Sequence, residues 1–382
     1  MKKQMIHTGF LLVVLFNIFI SLTQCSDSFL HTSIHRQREH KTVLLTGAAG
    51  FIGSNFLQYM FDKYPNYTFD VLDLLTYAGS LENIPDYIRK SNRFNFFYGS
   101  VTNPDIVDLV MSRADYVVHF AAESHVCRSI FDDLAFFDTD VMGTRVMMRS
   151  LVKHTSTIQR YIHISTSEVC GTAETQPMDE EHPINPRSPY AAAKAGADRL
   201  VYSYWCTYDI PALIIRPFNN YGPQQHLEKM LPRFITAAMK GEPLTVHGTG
   251  EQSRDWLHTL DLARALDKAL HLEDFSKIKN QILHIGSGIA TSVVTIAKKI
   301  LEHFDLPEDY LQFTPDRPGQ VACHISSTEK ARKLLDWQTE ISLEEGIKDV
   351  ITWYENNRAR WQRMEGMKHI PVQTSHGTIT LQ

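Results

Sequence analysis

The sequence predicts an α/β fold, a doubly wound parallel sheet with a smaller mixed α/β lobe beside it. Short apolar runs alternate with stretches in which apolar residues recur at helical spacing, the pattern of a parallel sheet covered by helices on both faces. A glycine-rich turn, TGAAGFIG at 46–53, follows the first apolar run. The chain has 382 residues and is 43% hydrophobic, so it can bury one large core and a smaller second one.

The apolar runs give the strands in order. After a first strand at 41–46 and a second at 68–72, further strands are predicted at Phe94–Tyr98, Tyr116–Phe120, Arg160–Ser165 and Ala212–Arg216. Helices are predicted at 51–64, Phe131–Lys153, Ser188–Tyr208, Val293–Phe304 and Leu343–Trp361. The alternation predicts a Rossmann domain over 41–216, with 255–285 returning to it. The smaller lobe then comprises 217–254 and 286–360, followed by a tail at 361–382.

The N-terminus has the form of a targeting segment. Lys2 and Lys3 precede an uncharged stretch whose apolar centre, Phe10 to Ile20, is short for a membrane-spanning helix. This pattern is typical of a secretory signal peptide at 1–25, cut near Cys25, with a signal-anchor as the alternative and a polar linker at 26–40. We expect the secretory pathway if the segment is functional and the cytoplasm otherwise; a membrane contact requires that the segment stays uncleaved.

Composition excludes several classes of function. The formal net charge is −5 and no basic stripe is visible, so nucleic acid is not an expected partner. The 18 histidines are scattered, and the five cysteines are few and odd in number. Neither a metal site nor a disulfide framework is therefore expected.

The glycine turn has the context of a dinucleotide site, because it lies between a predicted strand and a predicted helix. Gly47 permits a tight turn, Gly50 allows the backbone to approach a pyrophosphate, and Gly53 lets the helix pack on the strand. Asp73 follows Gly53 by twenty residues and ends the second strand. Its carboxylate can accept from ribose hydroxyls and repels a 2′-phosphate, which favours NAD over NADP. A glycine turn without a ligand is the alternative.

A second pattern indicates a proton-accepting tyrosine. Tyr190 and Lys194 are four residues apart in a predicted helix and share one face. The lysine ammonium, together with a nicotinamide cation, favours the phenolate, so we expect a lowered tyrosine pKa. Thr166 ends an apolar strand 24 residues before Tyr190, and its hydroxyl would complete a triad around a substrate carbinol.

These motifs belong to a specific resemblance. The chain resembles extended short-chain dehydrogenases/reductases that modify nucleotide sugars, and most closely the dTDP-glucose 4,6-dehydratase family. The matching stretches are TGAAGFIGSNF (46–56), LDLLTYAGSLENI (72–84), HFAAESHVCRSI (119–130), ISTSEVCG (164–171), SPYAAAKAGAD (188–198), NNYGPQQHLEKMLPRFI (219–235), HGTGEQSRDWLHTLDLARAL (247–266) and DRPGQ (316–320).

The resemblance implies a lyase reaction with an internal redox cycle. Tyr190 would act as base while NAD⁺ takes the hydride from C4 of the sugar. The resulting ketone acidifies the C5 proton, which Glu168 would remove while a neighbouring acid protonates the departing C6 hydroxyl. The hydride then returns to C6, so the cofactor is regenerated.

The resemblance also assigns residues to ligands. For the cofactor these are Phe51, Ile52, Thr76, Ser100, Ala121 and Ala122, in addition to the residues above. For the nucleotide-diphosphate sugar they are Ser124, Asn219, Asn220, Glu228 and Lys229, with Arg254 and Arg317 on the diphosphate. A homodimer is also implied, and apolar residues beyond one helix face fit such an interface: Met142, Met147, Met148, Leu151, Leu200, Tyr204 and Trp205.

The chain departs from the family pattern near the chemistry. The family's C6 acid, an aspartate, is Ser167 here, and a serine hydroxyl is a poor proton donor. We therefore expect slow dehydration and a faster Ser167→Asp variant. Further departures are Cys127, Cys170, Ser100 and Gln320. Either a proton relay replaces the acid, or the 4-keto intermediate has another outcome.

Several alternatives stay open. The TSEV stretch at 166–169 resembles UDP-glucuronate decarboxylases, and a nucleotide-sugar 4-epimerase needs the ketone but not Glu168. A non-catalytic NAD-binding protein is a third possibility, although it has no need of Thr166, Tyr190 and Lys194 together. The sequence does not distinguish thymidine from uridine nucleotides.

Overall fold

The structure is a computed structural model that describes residues 40–316, 318–368, 370–374 and 377–381. The predicted targeting segment at 1–25, nearly all of the linker, and Arg317 lie outside the described residues. Within these ranges, no helix is both long enough and apolar enough to cross a membrane.

The described elements alternate between strands and helices along most of the chain. The strands are β1 Thr42–Thr46, β2 Thr68–Asp73, β3 Phe94–Tyr98, β4 Tyr116–His119, β5 Arg160–Ile164, β6 Ala212–Pro217, β7 Asn219–Tyr221, β8 Leu244–His247, β9 Ser253–His258, β10 Ile282–Ile285, β11 Ala290–Ser292, β12 Leu311–Thr314, β13 Ile370–Thr374 and β14 Gly377–Leu381. The helices are α1 Phe51–Lys63, α2 Asp86–Arg89, α3 Pro104–Met111, α4 Val126–Phe131, α5 Leu134–Phe136, α6 Thr144–Lys153, α7 Pro189–Tyr208, α8 Met230–Ala238, α9 Thr259–Leu270, α10 Val293–His303, α11 Glu329–Leu335, α12 Leu343–Asn356 and α13 Arg358–Gln362.

The main sheet has seven parallel strands in the order β10-β6-β5-β4-β1-β2-β3. The strand order reverses beside β1, which is the point where open α/β sheets bind ligands. The predicted Rossmann fold is confirmed, and the predicted strands agree with the observed ones to within about one residue at each end.

The smaller lobe has its own core. A three-stranded sheet, β11-β9-β7, and the pair β12-β8 pack with α8, α10 and α12. The buried side chains of this core include Phe234, Ile296, Ile300, Val350 and Ile351. The division of the chain at 216, 254 and 285 stays a prediction.

The prediction of one continuous helix over Phe131–Lys153 is wrong. The chain leaves α4 at Asp132, whose backbone is extended, and reaches α6 only after α5 and a π-helical turn at Phe137–Gly143. The Asp132 carboxylate accepts the backbone N–H of Leu134 at 3.1 Å. Such a local bond offers the backbone an alternative to the helical ladder and breaks the helix.

The seven apolar residues expected at a dimer interface differ in exposure. Met147, Met148, Leu151 and Trp205 are core residues packed beneath the sheet, so they do not indicate an interface. Leu200 and Tyr204 are half-buried, and Met142 is 45% exposed. Other large apolar side chains of the same region are also exposed: Phe131, Leu134, Phe137, Tyr202 and Tyr208.

Candidate active site

The glycine turn after β1 has no room for side chains. Gly47 has φ +70°, and a Cβ there would lie 2.6 Å from the backbone of Ala121. A Cβ on Gly53 would lie 2.7 Å from Cα of Ala48. Gly50 precedes α1 and caps it with no side chain, so the helix presents its first-turn N–H groups to an anion.

A cleft of about 240 Å³ lies over this turn. The residues predicted for the cofactor, apart from the tyrosine–lysine pair, all line it: Gly47, Gly50, Phe51, Ile52, Gly53, Asp73, Thr76, Ser100, Ala121 and Ala122. We call it the cofactor cleft.

Asp73 is held at the end of β2 by two backbone donors. Its carboxylate accepts the N–H of Ala49 at 2.9 Å and that of Leu75 at 2.8 Å. Burial raises the pKa of the carboxyl, and the two backbone hydrogen bonds oppose that rise. Each carboxylate oxygen keeps a further lone pair, so the group can still accept from a ligand hydroxyl.

A second cleft of about 360 Å³ adjoins the first, since both are lined by Phe51, Ile52 and Ala122. We call it the substrate cleft. All of the predicted catalytic residues line it, and so do all predicted substrate residues that the structure describes: Thr166, Ser167, Glu168, Tyr190, Lys194, Ser124, Asn219, Asn220, Glu228, Lys229 and Arg254.

The predicted triad comes together where β5 ends and α7 begins. Ser188 caps α7 by accepting the N–H of Ala191, which places Tyr190 and Lys194 in its first turns. Tyr190 is hydrogen-bonded to the Thr166 hydroxyl. The Lys194 ammonium is buried and donates to the carbonyl of Ile164 at 2.7 Å.

The protein's own groups do not lower the pKa of Tyr190, in contrast to the prediction made for the lysine together with a nicotinamide cation. Burial raises the pKa of Tyr190, and the charges of Asp140 and Glu168 add to this, whereas the Thr166 hydrogen bond lowers it. Burial also lowers the pKa of Lys194 itself. A phenolate at Tyr190 therefore needs an additional cation close to the ring.

Glu168 and Ser167 lie in one short 3₁₀ turn that Thr166 caps. The Ser167 hydroxyl is buried and lies 3.4 Å from Nδ1 of His324. The Glu168 carboxylate is 3.9 Å from the same nitrogen. The other ring nitrogen, Nε2, donates to the carbonyl of Gly171 at 2.7 Å.

The far end of the substrate cleft holds cations and amides. Arg254 is buried. Its guanidinium donates to the Ser253 carbonyl at 2.9 Å and to Oε1 of Gln320 at 3.1 Å. Lys229 donates to the Ser124 carbonyl at 2.8 Å. Asn219 and Asn220 each have a buried Oδ1 for which the described part of the chain provides no hydrogen-bond partner.

Glu228 joins the two clefts. It lines both, accepts from Nε of Arg128 at 2.8 Å and from the Tyr77 hydroxyl at 3.0 Å. The Arg128 guanidinium also stacks over the Tyr77 ring, 3.9 Å from its centroid.

Sequence reasoning missed four residues in or beside these clefts: Tyr77 and Arg233 line them, whereas Arg128 and His324 contact residues that do. Tyr77 and Arg128 lie inside stretches that match the family, so their position was a usable signal. Arg233 lines the substrate cleft, where burial lowers its pKa to about 10. His324 carries no local motif, and only the fold brings it beside Ser167.

A seven-stranded Rossmann sheet with a glycine turn and an adjoining threonine–tyrosine–lysine triad defines an extended short-chain dehydrogenase/reductase. Within that class, the chain belongs to the GDP-mannose 4,6 dehydratase family, whose model matches residues 44–350.

Individual relatives agree with this assignment. The chain is 41% identical to the low-salt glycan biosynthesis protein Agl12 of Haloferax volcanii over 82% of this chain and 98% of that protein. It is 36% identical to the dTDP-glucose 4,6-dehydratase of Streptomyces niveus over 85% of this chain and 95% of that one. The crystal structure of a Streptomyces venezuelae dTDP-glucose 4,6-dehydratase with NAD bound has a TM-score of 0.80 and 33% identity, covering 85% of this chain and 100% of that one. The predicted resemblance is confirmed.

Proposed function

We propose that the protein is a NAD-dependent nucleotide-sugar 4,6-dehydratase, a hydro-lyase that converts dTDP-glucose or UDP-glucose to the 4-keto-6-deoxy sugar. One observation carries the proposal: Glu168 lies in the same cleft as Tyr190 and close enough for its charge to raise the tyrosine pKa. Oxidation at C4 needs only the tyrosine, whereas elimination across C5 and C6 also needs a carboxylate base. The dehydratase relatives support the same reaction.

The cofactor cleft fits NAD. Gly47 and Gly53 leave no room for a Cβ, and Gly50 carries no side chain in front of α1, so a pyrophosphate can approach the first N–H groups of the helix. Asp73 would accept from the ribose hydroxyls and repel a 2′-phosphate. When bound, NAD supplies a hydride acceptor for C4 and returns the hydride to C6.

The oxidation step rests on the triad. The Thr166 hydroxyl holds the C4 hydroxyl beside Tyr190, which takes its proton. The Ile164 carbonyl fixes the Lys194 ammonium one helical turn from Tyr190 in the substrate cleft. The bound cofactor's positive ring is the additional cation that favours the phenolate.

The elimination step rests on the 3₁₀ turn. The C4 ketone acidifies the C5 proton, and the Glu168 carboxylate removes it. The C6 hydroxyl leaves with a proton from its donor, and Ser167 is the group at the position of the family acid. Glu168 then returns a proton to C5 as the hydride reaches C6.

Substrate recognition depends on the cationic end of the cleft. Arg254, and by resemblance Arg317, would hold the diphosphate, because a guanidinium meets phosphate oxygens with two parallel hydrogen bonds. Asn219, Asn220 and Lys229 would contact the sugar, with Ser124 and Glu228 beside them.

We also propose a homodimer through the exposed apolar surface of α4 to α6 and α7. Phe131, Leu134, Phe137 and Met142 are each at least 40% exposed there. Exposed large apolar side chains on neighbouring elements are a common mark of an interface. Light scattering at micromolar concentration should give the mass of two chains; a mass of one chain would contradict the proposal.

The targeting proposal concerns residues 1–25. We propose that they direct the chain into the secretory pathway as a cleaved signal or a signal-anchor. Imaging of a C-terminally tagged full-length chain should show a compartment that is lost when 1–25 are removed. Identical diffuse cytosolic signals for both forms would contradict the proposal.

Product analysis tests the reaction. The purified protein is incubated separately with dTDP-glucose, UDP-glucose and UDP-glucuronate, without added reductant. The masses of the products are then measured by mass spectrometry. Loss of one water from a glucose nucleotide supports the proposal. Loss of carbon dioxide from UDP-glucuronate would identify a decarboxylase. A product that is an isomer with the mass of the substrate would identify an epimerase.

A further inference from the structure

We propose that His324 is a positioning residue for the elimination step: it passes a proton to the Ser167 hydroxyl, so that Ser167 can protonate the departing C6 oxygen. The inference rests on the proposed dehydratase function and deepens it. It explains how a serine can stand where a carboxylic acid is expected.

The hydrogen bonds of His324 fix its tautomer. The ring is fully buried, and Nε2 lies 2.7 Å from the carbonyl oxygen of Gly171. A carbonyl oxygen only accepts, so Nε2 carries the hydrogen. In the neutral ring, Nδ1 is therefore left with a lone pair, and it can receive a proton.

Nδ1 faces both reacting groups of the 3₁₀ turn. It lies 3.4 Å from the Ser167 hydroxyl and 3.9 Å from the Glu168 carboxylate. Ser167 and Glu168 both line the substrate cleft. One nitrogen thus lies close both to the proposed base for the C5 proton, Glu168, and to the group at the position of the family acid, Ser167.

The ring is held in place by rigid surroundings. Gly171 has φ +69°, and a Cβ there would lie 2.0 Å from the carbonyl oxygen of Asn185. The Gly171 carbonyl that accepts from His324 therefore has little freedom to change its orientation. The backbone N–H of His324 donates to the Ser253 carbonyl at 3.1 Å. The Phe218 ring packs edge-on against the imidazole, 6.1 Å between centroids.

The proton path balances. The C5–H bond breaks and its proton goes to Glu168, while the electron pair forms the C5–C6 double bond and the C6–O bond breaks. Glu168 passes its proton to Nδ1 of His324. His324 passes a proton to Oγ of Ser167, whose own proton joins the departing hydroxide as water. Glu168, ionised again, takes up a second proton from solvent and delivers it to C5 when C6 receives the hydride, while Tyr190 releases to solvent the proton that it took from the C4 hydroxyl.

The charges around the ring suit a transient acceptor. Burial lowers the pKa of His324, the Glu168 and Asp255 charges raise it, and the Arg254 charge lowers it further. The net direction is downwards, so the resting ring is neutral near pH 7. It becomes protonated only after Glu168 has passed on the C5 proton, and it then returns readily to the neutral form.

The experiment compares two buried histidines. His324→Gln keeps a side-chain N–H for Gly171 but removes the nitrogen that faces Ser167. His284→Gln is the matched control, because His284 is also fully buried and packs on the same Phe218 ring at 5.4 Å. Its Nδ1 bonds the Met178 carbonyl and no group of the turn.

Single-turnover kinetics separate the steps. In His324→Gln we expect reduced cofactor to form at the wild-type rate and then persist, with kcat about 10²-fold lower and KM unchanged, the scale typical of lost acid–base assistance. His284→Gln should resemble wild type. Circular dichroism checks that both variants are folded; if His324→Gln is not, His324→Asn replaces it.

A rescue variant distinguishes a relay from a structural role. Adding Ser167→Asp to His324→Gln supplies a carboxylic acid that needs no imidazole, so we expect elimination to recover to within about tenfold of wild type. The relay is wrong if the two glutamine variants lose activity equally, or if the aspartate restores nothing. Wild-type product formation separates these results from a failure of the proposed function: without product from wild type, both proposals fall.

Discussion

The cofactor cleft and the substrate cleft adjoin but are built differently. The cofactor cleft centres on a local motif, where the Gly47–Gly53 turn and Asp73 lie at one helix end, although residues as distant as Trp353 also line it. The substrate cleft gathers side chains from distant segments, and Ser167 and His324 are 157 residues apart in sequence. A substitution in the first cleft therefore acts mainly on ligand retention, whereas a substitution in the second acts on individual chemical steps.

The largest effect is expected at the tyrosine of the substrate cleft. Tyr190→Phe removes the base for C4 oxidation while keeping the ring, so turnover should fall by about 10²–10⁴-fold and no reduced cofactor should appear. Tyr202→Phe, on the exposed face of the same helix, is the control. Reduced cofactor forming at the wild-type rate in Tyr190→Phe would remove the tyrosine from the mechanism.

Glu168→Gln should block the reaction at the elimination step, which follows C4 oxidation. The amide cannot take the C5 proton, so product formation should fall by about 10²–10⁴-fold. C4 oxidation should continue, visible as accumulated reduced cofactor in a stopped-flow absorbance trace. Glu174→Gln, outside both clefts, is a suitable control. Formation of the 4-keto-6-deoxy sugar by Glu168→Gln at the wild-type rate would remove Glu168 from the elimination step.

Asp73→Ala tests retention in the cofactor cleft. The change removes the ribose acceptor and also frees the N–H groups of Ala49 and Leu75, so NAD should bind about 10–100-fold more weakly. Asp73→Asn keeps one acceptor and should fall between the alanine variant and wild type. Cofactor content of the purified proteins is the measurement, and wild-type NAD content in Asp73→Ala would contradict the assignment.

Arg254→Lys is expected to have the smallest effect. The charge stays but the planar fork is lost, so KM for the nucleotide sugar should rise by about tenfold with little change in kcat. Arg113→Lys, which pairs with Asp70 away from both clefts, controls for the substitution type. An unchanged KM would mean that Arg254 serves Gln320 and Ser253 rather than the diphosphate.

The same contrast explains how far the sequence could predict the structure. The fold, the glycine turn and Asp73 follow from local pattern, since strand periodicity and glycine spacing act over few residues. The break at Asp132 was missed because a single side-chain bond to the N–H of Leu134 overrides the helical pattern of Phe131–Lys153.

The substrate cleft was predicted as a set of residues but not as a network. Resemblance identified Ser167 and Glu168, yet His324 has no sequence signal because its contacts with them come only from the fold. The direction of the Tyr190 pKa in the protein alone could not be predicted for a similar reason: helical spacing places Lys194 on the same face but does not reveal that burial raises the pKa of the tyrosine and lowers that of the lysine.

The most direct test of the central claim follows one hydrogen atom through the reaction. The claim is that a single bound cofactor takes the hydride from C4 and returns it to C6 of the same sugar. The protein is incubated with dTDP-glucose or UDP-glucose deuterated at C4, without added cofactor or reductant, and the product is examined by nuclear magnetic resonance and mass spectrometry. The account predicts a 4-keto-6-deoxy product with the deuterium in its C6 methyl group; deuterium that stays at C4, or that is lost to solvent, would contradict it.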